Sequence, residues 1–214
     1  MDAQYQAVED QVQKKKHRVL DALVAGWSVS ALVQAWREAR IGSVMSRRQA
    51  ADWVSVHLRF DDSELSTALA DVYSTGAVLG KDVADYNFLK AGGTDPSVTI
   101  SSDFGWDGWT PGNRAASLLT SPEGGLAQRL NDRGVTMRGI NDTTINRIGG
   151  VLSEGLQQGL SPVQVAIGVQ GELIDSRTDW AATLEGRLEQ VQKDQKRAEL
   201  IARTEMNQAV NDAA

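Results

Sequence analysis

The sequence contains no cysteine and only two histidines, and both shortages exclude kinds of site. Without cysteine, the chain forms neither disulfides nor thiolate metal sites. With only His17 and His57, we do not expect a histidine-rich metal centre or a catalytic centre with several histidines. His57 falls on the apolar side of a predicted helix, a position that favours packing and hydrogen bonding over catalysis.

Long apolar runs and a signal peptide are also missing. No run approaches the length that a bilayer-spanning helix needs, and the N-terminus lacks the signal-peptide pattern. We therefore expect a protein that makes no membrane contact and works inside a cell, or in something assembled there. The 214 residues are enough for one large domain or two small ones.

The charged residues are unevenly distributed along the chain. The net charge is −6, and residues 1–60 carry 9 Lys/Arg against 6 Asp/Glu. Residues 61–112 carry 2 against 9, and residues 113–214 carry 11 against 13. Overall acidity argues against a dedicated nucleic-acid binder, whereas the dipolar layout suits charge-steered contact with other proteins.

Motifs that carry catalytic chemistry are lacking too. The sequence has no phosphate-binding loop, dinucleotide fingerprint, nucleophile elbow or metal-binding helix pair. Asp61 and Asp62, like Asp103 and Asp107, lie in loop or capping contexts without an apolar pocket that would shift a pKa. We predict no enzymatic activity and no cofactor. A divalent ion held by the 103–107 loop stays open as an alternative.

What the sequence does contain is helical periodicity. The first 90 residues predict helices over 3–40, 47–60 and 63–90. We expect Gly26 to interrupt or kink the first, Ser46 to cap the second and Ser63 to cap the third. Gly76 and Gly80, four residues apart, would let another helix approach closely.

Residues 91–113 change character and predict a loop, because they are rich in Gly, Pro, Ser and Asp. A short strand could form over 98–100. Trp106 and Trp109 lie within this loop and need burial. One interpretation is that they pin the loop onto the chain's own helices; the other is that they anchor into a neighbouring subunit.

The remainder is again helical. The predicted helices cover 114–120, 122–133 with an end at Gly134, a stretch from Asn141 or Asp142 to Gly159, one from Ser161-Pro162 to about 174, and 177–212. The sequence therefore predicts an all-α fold. We expect an extended N-terminal helical arm (1–90), a Gly/Trp-rich loop (91–113) and a C-terminal helical bundle (114–214).

A basic cluster, 14-KKKHR-18, lies within the first predicted helix. Its cations are Lys14, Lys15, Lys16 and Arg18. One interpretation is a solvated helix face. The other is a contact for phosphates or for an acidic protein surface.

Two segments are more distinctive, TTINRIGGVLSEGLQQGLSPVQVAIGV (143–169) and RAELIARTEMNQAVN (197–211). A helix ending in EGLxxG, a short helix starting at Ser-Pro, and a long helix carrying IARTE together resemble the phage Mu F-like head morphogenesis family. The resemblance covers about residues 105–211. It includes WDGWTPGN, which looks like the start of that region in phages of actinobacteria.

The resemblance implies a minor capsid protein, part of the virion, located at the portal vertex of the phage head and in the host cytoplasm during assembly. It implies the portal protein as partner, with several copies around it. The major capsid or scaffolding protein and packaged DNA are further partners that it suggests. The leading hypothesis is a portal-bound assembly protein; the alternative is a virion protein that contacts DNA through the basic helix.

Within the IARTE helix, the small residues fall on one side, which permits tight packing against another helix. Glu205 falls on the same side. The polar residues Arg203, Thr204, Glu205 and Asn207 need partners if they are buried. They either hold the local bundle together, Glu205 meeting Arg147 or Arg138, or form the contact with a portal subunit.

Overall fold

The computed structural model describes residues 2–41, 44–92, 126–167 and 184–213. The eight helices of these residues are α1 (Asp2–Ala25), α2 (Val29–Glu38), α3 (Arg47–His57), α4 (Ser63–Lys90), α5 (Leu126–Gln157), α6 (Pro162–Ile167), α7 (Leu184–Gln192) and α8 (Gln195–Ala213). No strand occurs within the described ranges. The prediction of an all-α fold is confirmed.

The helices belong to two compact units. Unit 1 comprises residues 1–22, 65–134 and 195–214, and unit 2 comprises residues 23–64 and 135–194. Each unit thus combines residues from before and after the predicted 91–113 loop. Most of that loop, including Trp106, Trp109 and the predicted strand, lies outside the described residues, as does the predicted helix over 114–120.

Unit 1 has a core of small and branched side chains from three helices. Val12 and Val19 of α1, Leu69 of α4, and Ala202 and Met206 of α8 are fully buried. The predicted close approach at Gly76 is confirmed, since a Cβ added there would lie 2.7 Å from the Cβ of Ala209. At Gly80, such an atom would overlap the carbonyl oxygen of Val210.

Unit 2 has a larger apolar core. Its centre is Trp36, which is fully buried and meets Trp53 edge to face with ring centroids 4.7 Å apart. The other buried members come from α2, α3, α5, α6 and α7 and include Leu32, Val54, Ile148, Leu152, Val165, Leu184 and Leu188. The α5 backbone approaches α3 closely at Gly149, where a Cβ would lie 2.7 Å from the amide nitrogen of Ala51.

Several helix ends follow the predicted local signals. Ser28 caps α2 after the predicted interruption at Gly26, and Ser46 forms a capping box with Gln49 at the start of α3. At the end of α5, Gly159 adopts φ 76°, a backbone conformation that glycine tolerates well. The Ser161 hydroxyl then accepts a hydrogen bond from the Gln164 amide at the start of α6.

Four predicted boundaries are wrong. The predicted stop at Gly134 and start at Asn141 or Asp142 both lie inside the continuous α5, because one glycine costs a helix only about 1 kcal/mol, which downstream packing offsets. The predicted helix over 177–212 breaks at Lys193–Asp194, where the two units divide. The second predicted helix ends at His57 rather than 60. The third predicted helix has its predicted bounds, 63–90, but Ser63 is its first residue rather than its cap, and Asp61 accepts a hydrogen bond from the Ser63 amide at 3.0 Å.

The expectation that no stretch is suited to a bilayer needs a correction. Tyr5–Glu38 is long and apolar enough to cross a membrane by length and composition, and half of its most apolar window is buried. Among the described residues, it is the one stretch that meets these criteria. Helices of a protein core meet the same criteria, and Val19, Leu32 and Trp36 of this stretch are core residues.

Candidate partner-binding surface

Helix α8, which carries the IARTE segment, has a packed side and an open side. Alanines and Met206 fill the packed side, and all are fully buried: Ala198, Ala202, Met206 and Ala209. Thr204 and Asn207 lie on the open side, together with Leu200, whose relative exposure is 64%. The four α8 residues predicted to contact a partner therefore do not share one environment.

Glu205 lies on the packed side, where only 4% of it is exposed. Its carboxylate is enclosed within unit 1, so it does not belong to an outer contact surface, contrary to its inclusion among the predicted partner contacts. Of the two arginines predicted as its partners, Arg147 forms an ion pair with Asp194 instead, at 2.6 Å.

Arg203 connects α8 to α1. Its guanidinium donates hydrogen bonds to Glu9 of α1 and, at 3.2 Å, to Glu199 one turn earlier on α8. Glu199 also pairs with Lys16 of α1 at 3.7 Å. The charges of Glu9, Arg203, Glu199 and Lys16 therefore alternate in sign across the contact between α1 and α8. This arrangement supports the interpretation that Arg203 holds the local bundle together.

The open side of α8 carries uncharged polar side chains beside its charged ones. The Thr204 hydroxyl donates to the Leu200 carbonyl at 2.9 Å, so burial of Thr204 by a partner would leave no donor unsatisfied. The Asn207 side chain makes no hydrogen bond to the described residues and remains free to bond to a partner. Of the four predicted contact residues on α8, Thr204 and Asn207 are thus the most exposed.

A depression of about 170 Å³ lies on this side of α8. It is lined by Lys196, Glu199, Leu200 and Arg203, all from the same helix. Leu200 and the aliphatic stems of its neighbours form an apolar lining beneath charged ends.

The basic cluster on α1 is largely engaged by carboxylates of its own unit. Lys15 and Arg18 both bind Asp71 of α4, at 2.8 and 3.0 Å, and Lys16 pairs with Glu199. Lys14 is exposed and has no ion pair within the described part of the chain. Neither interpretation of the sequence includes these ion pairs within unit 1, which leave Lys14 and the half-exposed Arg18 at the surface.

His57, which was weighed as a catalytic residue, is packed on a neighbouring ring. His57 stacks on Trp53 with ring centroids 4.0 Å apart, and its Nδ1 lies 2.8 Å from the Trp53 carbonyl oxygen. Among the described residues, no group of three His, Asp or Glu side chains could hold a metal ion. Asp103 and Asp107 of the alternative ion site lie outside those residues.

The sequence did not identify the ion-pair partners of Arg203 and of the basic cluster on α1. Glu9 and Asp71 drew no attention, because nothing local to either residue marks the cation that it meets in a distant segment. Leu200 was also missed, although an isolated leucine on the polar side of a helical pattern is a signal that could have identified it.

The chain has no match among protein-family models, curated proteins or solved structures.

Proposed function

We propose that this chain is a minor capsid protein that takes part in head morphogenesis of a tailed phage and binds the portal vertex. The proposal depends on the resemblance of residues 143–169 and 197–211 to the phage Mu F-like family. Local geometry is compatible with that resemblance: EGLxxG ends α5, Ser161-Pro162 begins α6, and IARTE lies within α8.

The observation that carries the proposal is the division of the IARTE helix. Its alanine side is buried by packing within unit 1, whereas Thr204 and Asn207 are exposed. A helix that is firmly packed on one side presents its other side in a fixed geometry, which reduces the entropy that binding costs. We assign the portal contact to this open side.

Co-purification with portal oligomers tests the proposal. The chain should remain with the portal protein after nuclease treatment, because the contact is between proteins. Asn207→Arg should weaken the complex, because it places a long cation in the contact. Asn146 is an exposed asparagine of unit 2, and Asn146→Arg should leave the complex unchanged. Heads that lack the chain, together with portal oligomers that do not retain it, would refute the proposal.

A second candidate function is contact with packaged DNA through α1. The observation that favours it is an excess of cations, since Lys14, Lys15, Lys16 and Arg18 share only Asp71 and Glu199 as ion-pair partners among the described residues. Counterion release predicts that affinity for duplex DNA falls steeply with salt. Neutralising Lys14, Lys15 and Lys16 together should reduce that affinity, whereas Lys193→Gln in unit 2 should not. Unchanged affinity in the triple variant would exclude the cluster.

A further inference from the structure

One carboxylate oxygen of α4 holds two cations of α1. The oxygen is Oδ2 of Asp71, which accepts a hydrogen bond from Nζ of Lys15 at 2.8 Å and lies 3.0 Å from Nη1 of Arg18. Because Lys15 and Arg18 are three residues apart, they are neighbours on the surface of the helix. Their side chains therefore converge on a point that an anionic oxygen occupies, and the same donors bind a phosphate oxygen in the same way.

The Asp71 carboxylate is exchangeable for an anion from outside the chain. The relative exposure of the side chains is 25% for Asp71, 24% for Lys15 and 52% for Arg18. Ion pairs this open to water contribute little to stability, because the separated ions regain their hydration. If a phosphate engaged the two cations, Asp71 would stay in contact with water and would not become a buried charge without a partner.

A third cation adjoins this pair. Lys14 precedes Arg18 by four residues, so the two are also neighbours on the helix surface. Lys14 is exposed and forms no ion pair with any residue that the structure describes. Lys16 differs from these three, since it is held by Glu199 of α8 at 3.7 Å. A phosphate that reached Lys15 and Arg18 would therefore also lie beside a cation that no ion pair engages.

We propose that Lys14, Lys15 and Arg18 form a site for the backbone phosphates of DNA, and that Asp71 occupies this site until a phosphate displaces it. The inference rests on the second candidate function, contact between α1 and DNA, and adds the internal competitor that limits this contact. While Asp71 holds Lys15 and Arg18, a phosphate meets only Lys14 without competition. The wild-type chain therefore binds DNA more weakly than its cations would allow, and removal of the Asp71 charge opens the site.

Fluorescence anisotropy of a labelled duplex DNA, titrated with the purified full chain at several salt concentrations, tests the proposal. Asp71→Asn keeps the size of the side chain but removes its charge, so it should raise the affinity at least about threefold at low salt. It should also steepen the slope of log affinity against log salt by about one to two, since one or two further phosphates are neutralised.

Asp21→Asn is the matched control. Asp21 is exposed on α1, lies three residues after Arg18 and makes no ion pair to the described residues. Its substitution changes the net charge by the same amount as Asp71→Asn but releases no cation. The affinity should therefore change by less than about twofold, because an exposed charge is screened by salt, and the salt slope should stay the same.

A second background separates release of the cations from loosening of the α1–α4 contact. In a chain that carries Lys15→Gln and Arg18→Gln, Asp71→Asn should bring no gain in affinity, because the cations that it releases are gone. A gain that persists in this background overturns the proposal, as do equal gains in Asp71→Asn and Asp21→Asn. DNA binding by the wild-type chain that Asp71→Asn does not strengthen overturns this inference alone. Absence of binding by both the wild-type chain and Asp71→Asn refutes the contact with DNA as well.

Discussion

The backbone of Gly76 lies so close to Ala209 that a methyl group at position 76 would stand 2.7 Å from the Ala209 Cβ. Substitution by alanine should therefore force α4 and α8 apart and lower the free energy of unfolding by about 1–3 kcal/mol. Gly139 is the matched control, because a Cβ there meets nothing within 4 Å. Gly139→Ala should instead stabilise the chain by about 0.5–1 kcal/mol. Denaturant titration followed by circular dichroism measures both effects, and equal behaviour of the two variants would contradict the close packing.

Two adjacent glycines of α5 should respond differently to the same change. A Cβ on Gly149 would lie 2.7 Å from the Ala51 amide nitrogen and 2.8 Å from its Cα, and this backbone cannot move aside cheaply. The atoms nearest to a Cβ on Gly150 would belong to the guanidinium of exposed Arg47, at 3.2–3.3 Å. Gly149→Ala should cost about 1–3 kcal/mol of unfolding free energy, whereas Gly150→Ala should change it by no more than about 1 kcal/mol. Thermal unfolding of both variants provides the comparison; a larger loss in Gly150→Ala would show that the α3–α5 approach is wrong.

The Arg203–Glu9 ion pair should be energetically coupled. Both side chains are partly buried, with 38% and 22% relative exposure, and Arg203 also bonds to Glu199. A double-mutant cycle with Arg203→Gln and Glu9→Gln should give a coupling energy of about 0.5–1 kcal/mol. The more exposed Lys193–Glu189 pair should give about half of that or less. No coupling between residues 203 and 9 would mean that Arg203 does not tie α8 to α1.

The pKa of Asp61 should lie below its ordinary value. The hydroxyl and then the amide of Ser63 donate to its carboxylate and hold its pKa below the ordinary value of 3.8. Since folding lowers this pKa, the stabilising contribution is present above pH 3.8 and is lost as the pH falls through the folded-state value. Carboxyl-carbon NMR should show the pKa rising towards 3.8 in Ser63→Ala and unchanged in Ser55→Ala, whose hydroxyl bonds elsewhere. An unchanged Asp61 pKa in Ser63→Ala would remove the hydroxyl as its cause.

Features decided by neighbouring residues were predictable from the sequence. The starts of α3 and α6 depend on Ser46 and Ser161, whose hydroxyls bond to amides three residues later. The close approach at Gly76 was also predictable, because glycines spaced by four share one helix face. At Ser46 and Ser161 the cause and the effect lie within one turn of helix, whereas at Gly76 the sequence indicates a close approach without identifying Ala209 as the contact.

Features decided by tertiary contacts were not predictable. The break at Lys193–Asp194 follows Gln192, whose buried amide donates to the carbonyls of Val24 and Trp27. The Arg203–Glu9 pair joins residues 194 positions apart. Local sequence gives no signal for such pairings, nor for a division in which both units draw on early and late parts of the chain.

The mass of the complexes formed when the purified chain is mixed with portal oligomers, after nuclease treatment, tests the proposed function most directly. Portal binding predicts species equal to one portal oligomer plus a whole number of chains, with fewer bound chains for Asn207→Arg than for Asn146→Arg. Portal oligomer and free chain measured separately at every mixing ratio would contradict the proposed function.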